Sequence, residues 1–230
     1  MTCSDPAMRS MSMSPSQVAE LVEAVRRADS ALGLLQATQA LAASAHPDGA
    51  ACLVEILGFN NPGAAVAAVD GLVAIGTPAV ETILSNIDGY NYGARAWAVR
   101  ALAGIGDVRG LEVLEDALGK DIGPSVRRAA ARGLGQLRLE ALSAEERSAS
   151  LSRCLAVLLD GCRDGEWVVR YAVIVGLEHL AKTWFTALQA SDQLALRQAL
   201  RQLQDNPEEE AAVVQLRAAL ALQRLEEAHG

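Results

Sequence analysis

The sequence predicts an all-α superhelix, a solenoid of stacked helical hairpins, and three observations predict it. One segment recurs four times along the chain. The apolar content, 51% of residues, rests on Ala, Leu and Val with only 3% aromatics. Copies of the segment run into Gly-containing turns that lead to a second apolar-periodic run. An Ala- and Leu-rich composition favours helices packed closely through small side chains, and disfavours a sandwich or barrel.

The four copies run from Asn61 to Leu72, Tyr92 to Leu102, Pro124 to Leu134 and Trp167 to Leu177. In this register Leu72, Leu102, Leu134 and Leu177 are equivalent, and so are Arg95, Arg127 and Arg170. A small residue stands before each Leu: Gly71, Ala101, Gly133 and Gly176. A fainter copy ends at Leu41. The first three strong copies lie about 30 residues apart, in the range of helical-hairpin repeats. The last interval is longer, and Leu142 to Ser150 reads as a lengthened helix or loop. Gly76 and Gly106 suit left-handed helix ends, Thr77 and Asp107 the next N-caps, and Pro78 a first-turn position. The unit is thus helix, tight turn, helix, a HEAT-like hairpin. Gly and Ala at fixed positions let neighbouring helices approach to about 8–10 Å. One hairpin cannot bury its apolar face alone, so neighbours must stack and the terminal units must act as caps.

Residues 1–16 are Ser- and Met-rich without the basic-then-apolar order of a signal peptide. They read as a flexible leader, with Ser14 as an N-cap and Pro15 as a first helical residue. Residues 17–230 read as a single domain. Its capping helices occupy 183–230, as two helical patterns split near Asp205, Asn206 and Pro207 with Glu208 to Glu210 opening the last one.

A formal net charge of -8 makes the chain a poor generic partner for phosphate backbones, and no nucleic acid is expected. No apolar run is long enough to span a bilayer, since charged residues or Gly break each one. Cys3, Cys52, Cys154 and Cys162 have no zinc-finger or CxxC spacing and read as reduced thiols, the last three in the core. His46, His179 and His229 form no motif with them, so no metal site is predicted. Metalloprotease, nucleophile-elbow, Walker and dinucleotide-binding patterns are all missing from the sequence.

Two features remain as candidate chemistry. Arg95, Arg127 and Arg170 open their helices. An Arg there bonds carbonyls or carboxylates of the neighbouring repeat, or carboxylates of a ligand, for which its planar fork is suited. Between Val126 and Leu139 four arginines accumulate, Arg127, Arg128, Arg132 and Arg138. Arg128 and Arg132 share a face and mark an anionic ligand, an acidic partner surface or a solvated face. The second feature is aromatic. Of eight aromatic residues, Tyr90, Tyr92 and Trp97 fall within Asp88 to Trp97, and Tyr92 is equivalent to Trp167. Both start a repeat, at an edge where binding residues are accessible on a rigid scaffold. Either they plug gaps between hairpins or, with Asn91 and the arginines, they hold a flat, conjugated, carboxylate-bearing molecule.

Asp88-Gly-Tyr-Asn-Tyr-Gly-Ala-Arg-Ala-Trp97 and its continuation to Asp107 resemble the signature of the smaller, F-type subunits of two-subunit phycobilin lyases. Gly58 to Val69, Ser125 to Ala130 and Glu166 to Val173 resemble the repeats around it. The resemblance covers roughly residues 50–180. It implies a larger E-type HEAT-repeat partner, and a linear tetrapyrrole (phycocyanobilin or phycoerythrobilin) as substrate rather than as a permanently bound cofactor. The bilin is attached by a thioether to a cysteine of a phycobiliprotein alpha subunit, typically phycocyanin's, in the cytoplasm of a cyanobacterium. Relatives that also isomerise the bilin carry a His-Cys pair. None occurs here, so plain ligation is expected. On this resemblance the bilin-binding set is Asp88, Tyr90, Asn91, Tyr92, Arg95, Arg127, Trp167 and Arg170, with Arg128 and Arg132 on a partner surface and no catalytic residue assigned. A bilin chaperone or chromophore-detaching subunit, and a non-catalytic scaffold, are the alternatives the fold leaves open.

Overall fold

In the computed structural model, which describes residues 13–87 and 91–229, two rows of helices stack along one axis. The first row holds α2 (Ala31–Ala43), α4 (Pro62–Ile75), α6 (Tyr92–Ile105), α8 (Pro124–Leu134), α10 (Trp167–Trp184) and α12 (Ala212–His229). The second holds α1 (Pro15–Arg26), α3 (Ala50–Ile56), α5 (Val80–Ser85), α7 (Leu111–Lys120), α9 (Ala144–Gly161) and α11 (Ala190–Gln204). Each even-numbered helix packs on its even-numbered neighbours, and the odd-numbered helices cover the row from one side.

A constant register runs through the first row. The predicted equivalents Leu72, Leu102, Leu134 and Leu177 are all buried at the seam between rows. Each lies ten residues after its helix's first residue, as 62 is to 72. Leu41 in α2 and Leu222 in α12 occupy the same place and are also buried. The faint first copy is therefore a true one. The C-terminal cap holds a further copy, whose opening residues Ala212 to Gln215 lack the side-chain signature of the other copies.

Local chemistry sets the helix ends. Ser14 and Gln17 form a capping box ahead of Pro15, so α1 takes in the last two residues of the expected leader. Ser30, Asn61 and Asn91 each accept a backbone N–H of the first turn that follows. Gly76 and Gly106 end α4 and α6 at φ 74° and 68°, backbone that costs Gly nothing. Asp107 caps the next turn through Arg109 N–H. Thr77 does not cap: it lies inside the turn, and its hydroxyl accepts from Arg138 at 3.1 Å. The long interval holds both an extended segment and a lengthened helix. The Arg138 N–H donates to the Gly106 carbonyl at 2.8 Å, and then Ser143 and Glu146 form the capping box of the 18-residue α9.

Small residues act where helices touch. A Cβ on Gly176 would run into the carbonyl of Ala131, and one on Gly135 into the backbone of Gly176, so α8 and α10 meet backbone to backbone. Gly119 in α7 has open space around it. Gly176→Ala is expected to cost about 2–3 kcal/mol through overpacking. Gly119→Ala is expected to raise stability by up to about 1 kcal/mol. Urea titration followed by circular dichroism checks both, and equal effects of the two would contradict the close approach.

Candidate functional site

The starts of α6, α8, α10 and α12 line one edge of the solenoid, and arginines join them in sequence. Arg127 donates to both carboxylate oxygens of Asp164, at 2.6 and 2.9 Å, and to the carbonyl of Asp121 at 2.9 Å. Arg170 repeats the arrangement one repeat on. It donates to both oxygens of Glu209, at 2.7 and 2.6 Å, and to the carbonyl of Asp164 at 2.7 Å. Arg95 donates to Asp116 at 2.7 Å, and its Nε stands 3.7 Å from Asp121. Each of these acids, Asp121, Asp164 and Glu209, precedes its helix by three residues. Each also accepts a backbone N–H two residues on, from Gly123, Glu166 and Ala211. The acid thus fixes the start of its own helix while holding the arginine of the repeat before. Of these acids only Glu209 stands out in the sequence, in the run expected to open the last helix, and that run lies instead in the loop before α12. Their signal is the recurrent position three residues ahead of a helix, which Asp and Glu fill interchangeably.

Charge agrees with geometry. The Arg170 fork, opposed by burial and helped by the Ala211 N–H, holds the Glu209 carboxyl below its ordinary range. Burial pushes Asp164 upward, but Arg127, the Glu166 N–H and the Arg170 charge outweigh it, and it too lies low. Asp116 is lowered first by Lys120 and then by Arg95. The bond Arg127 donates to Asp164 raises Arg127 above its ordinary value.

Aromatic groups stand outside this ladder. Tyr92 and Trp167 are the first residues of α6 and α10, and remain 44% and 46% exposed. The Tyr92 hydroxyl donates to Asp121 at 2.9 Å. Burial, then that bond, raises its pKa. Asn91 is spent on capping α6, donated to by the Ala94 N–H at 3.0 Å. Beside it a groove of about 280 Å³ opens between the starts of α4 and α6, lined by Phe59, Asn60, Asn61, Asn91 and Trp97 among others. The Arg100 guanidinium lies over the Trp97 ring, 4.5 Å from its centroid.

Asp88 and Tyr90 lie outside the described residues. Of the other expected site residues, the structure brings Asn91, Tyr92, Arg95, Arg127, Trp167 and Arg170 to this one edge. It assigns the three arginines carboxylate partners within the chain. Arg128 and Arg132 point away from the ladder, both exposed, and make no ion pair or hydrogen bond among the described residues. Cys52 and Cys154 are buried and Cys162 half-buried. Burial pushes Cys154 and Cys162 up to about 12 and raises Cys52, so none is a thiolate near neutral pH. No group of three or more His, Cys, Asp or Glu that could hold a metal ion occurs among the described residues.

Residues 80–178 match the family model for HEAT repeats. The chain is 53% identical over 166 residues to the phycocyanin alpha phycocyanobilin lyase CpcF of a Synechocystis species, covering 72% of this chain and 78% of that one. It is 48% identical over 207 residues to a phycobilisome maturation protein of Synechococcus elongatus, covering 90% and 97%. Among solved structures, the complex of CpcE and CpcF of the phycocyanin lyase from a Nostoc species matches at a TM-score of 0.66 and 41% identity, over 74% of this chain and 95% of that chain.

The ladder sets a pH dependence. A carboxylate held below its ordinary value stabilises the fold fully above that value, 4.5 for Glu and 3.8 for Asp, and loses the effect as pH falls through the depressed one. Arg170→Met leaves Glu209 buried without its partner, and is expected to cost about 3 kcal/mol at neutral pH. It is also expected to flatten the acid limb, because Glu209 then titrates nearer its unfolded value. Urea titrations from pH 3 to 7 read both, and an unchanged acid limb would show that the pair contributes no linkage.

Proposed function

The chain belongs to the family of beta, CpcF-type subunits of phycocyanobilin lyases, and we propose that its exposed helix starts hold the bilin while it is joined to protein. It acts as one subunit of a heterodimeric bilin lyase that attaches a linear tetrapyrrole to a phycobiliprotein cysteine through a thioether. The observation that carries this is the 53% identity across 78% of the Synechocystis lyase subunit. The larger subunit is the E-type partner, as in the Nostoc complex of CpcE and CpcF. In this reading the acceptor is the phycocyanin alpha subunit and the pigment is phycocyanobilin or phycoerythrobilin, bound as substrate. The site of action is the cytoplasm beside the assembling phycobilisome.

The chemistry asked of the pair is addition. The acceptor's S–H adds across the ethylidene double bond of the bilin: sulfur bonds the exocyclic carbon, the proton goes to the ring carbon, and no group leaves. The nucleophile belongs to the acceptor, in keeping with the raised thiols of Cys52, Cys154 and Cys162. The lyase contributes position, holding an extended pigment still and shielding it from stray thiols.

Tyr92 and Trp167 offer ring faces at the edge, one on α6 and one on α10. With α8 between them they stand two helix spacings apart, about 16–20 Å, a span suited to a linear tetrapyrrole rather than a single ring. Asn91 and Arg95 border Tyr92. Asp88 and Tyr90 adjoin it in the chain and belong to the same set, Asp88 as an acceptor for pyrrole N–H groups. Arg127 and Arg170 serve the site as its frame, through the ladder.

Co-expression of the chain with an E-type subunit, a phycocyanin alpha subunit and a phycocyanobilin-producing pathway is expected to give covalent pigment on the denatured acceptor only when both subunits are present. Zinc-enhanced fluorescence and visible absorption read it. No adduct from a stable pair, with either pigment, would sink the lyase reading in favour of a chaperone or scaffold. Trp167→Ala and Tyr92→Ala are each expected to weaken bilin binding about tenfold with helicity unchanged. Unaltered binding in both would remove this edge from the site.

A further inference from the structure

The constant register ranks the exposed and half-buried side chains of the first row as well as the buried ones. Four and eight residues past each helix start, a single face carries a changing chemistry. On α4 it shows Val66 and Asp70. On α6 it shows Ala96 and Arg100, and on α8 Arg128 and Arg132. On α10 it shows Tyr171 and Val175, and on α12 Leu216 and Leu220. The middle of the face is cationic and its C-terminal part apolar, with Leu216 70% exposed.

We infer that Arg128 and Arg132, with Arg100 beside them, hold the two propionate groups of the tetrapyrrole, and that Tyr171 and Val175 on the next helix receive its rings. This rests on the bilin-lyase reading. Arg95, Arg127 and Arg170 each have a carboxylate of the chain in hand. Arg100, Arg128 and Arg132 have none among the described residues, although the chain carries 28 acidic residues against 20 basic ones. Arg128 and Arg132 are four apart on α8, so their side chains are neighbours, and as like charges they repel. A ligand with two carboxylates on adjacent rings relieves the repulsion and meets two planar forks. The flanks fit the rest of that ligand. Tyr171 and Val175 stand one helix spacing away, and Tyr92 and Trp167 border the same face at the helix starts. A nucleic-acid backbone would need cations without the apolar half of the face, on a chain that is not acidic overall.

The test uses the purified heterodimer with the E-type subunit, titrated with phycocyanobilin and with its dimethyl ester, in which both propionates are capped. Visible absorbance reads binding, and size exclusion reads the heterodimer. The wild type is expected to bind the free acid about tenfold or more tightly than the diester. The double variant Arg128→Gln with Arg132→Gln is expected to lose that preference, binding both forms as the wild type binds the diester, with the heterodimer intact. Both arginines are exposed and make no bond among the described residues, so the variant is expected to fold, and circular dichroism checks it. A double variant that keeps the preference overturns the inference. A double variant that no longer pairs with the E-type subunit also overturns it, and assigns the two arginines to the partner surface. A wild type that binds neither form overturns the bilin reading itself and the inference with it, a result distinct from the other two.

Discussion

The edge where the first-row helices start depends on one repeated interaction, a guanidinium shared between a carboxylate of the loop that starts the next helix of the row and a carbonyl of the loop that starts its own. Arg127 bonds Asp164 and the Asp121 carbonyl, and Arg170 bonds Glu209 and the Asp164 carbonyl. An isolated pair of exposed charges stabilises little. Here each acid is largely withdrawn from water, at 1–10% side-chain exposure for Glu209 and Asp164, and its remaining lone pairs meet backbone N–H groups. The forks are therefore geometric fasteners. They tie successive helix starts together, beside the close approach of α8 and α10 at Gly135 and Gly176.

A scaffold fastened this way can expose aromatic groups without losing their positions. Tyr92 is tied to Asp121, itself a rung of the ladder, so the ring's orientation is inherited from the frame. Trp167 stands at the first position of α10, whose start the Arg127–Asp164 pair holds. Ordering these side chains in advance lowers what binding must supply in entropy. That suits the proposed role of these helix starts, to hold a reactive pigment in one pose while a thiol of the acceptor reaches it.

Legibility in the sequence followed the chemistry of each feature. The repeated Leu and the small residue before it were readable because burial and close approach tolerate few alternatives. The turns at Gly76 and Gly106 were readable because positive φ nearly demands Gly. The α12 repeat was not, since its opening residues, Ala212 to Gln215, share no side-chain signature with Tyr92 or Trp167, and only the stacking reveals the common register. The carboxylate partners escaped for a related reason: an acid in a polar loop looks like any solvated acid until the preceding repeat is laid beside it.

The sequence by itself determined the fold class, the hairpin unit, the seam of buried leucines and the family, because each rests on local periodicity or on segments specific enough to recognise alone. Tertiary structure decided which arginines are paired and which make no ion pair among the described residues. Arg127 and Arg128 are neighbours in the chain with the same intrinsic chemistry. One turns into the interval between repeats and finds Asp164, and the other turns outward and makes no ion pair among the described residues. A helix rotates successive side chains by about 100°, so the fate of each charge depends on what the next repeat, some 37 to 39 residues away, places opposite it.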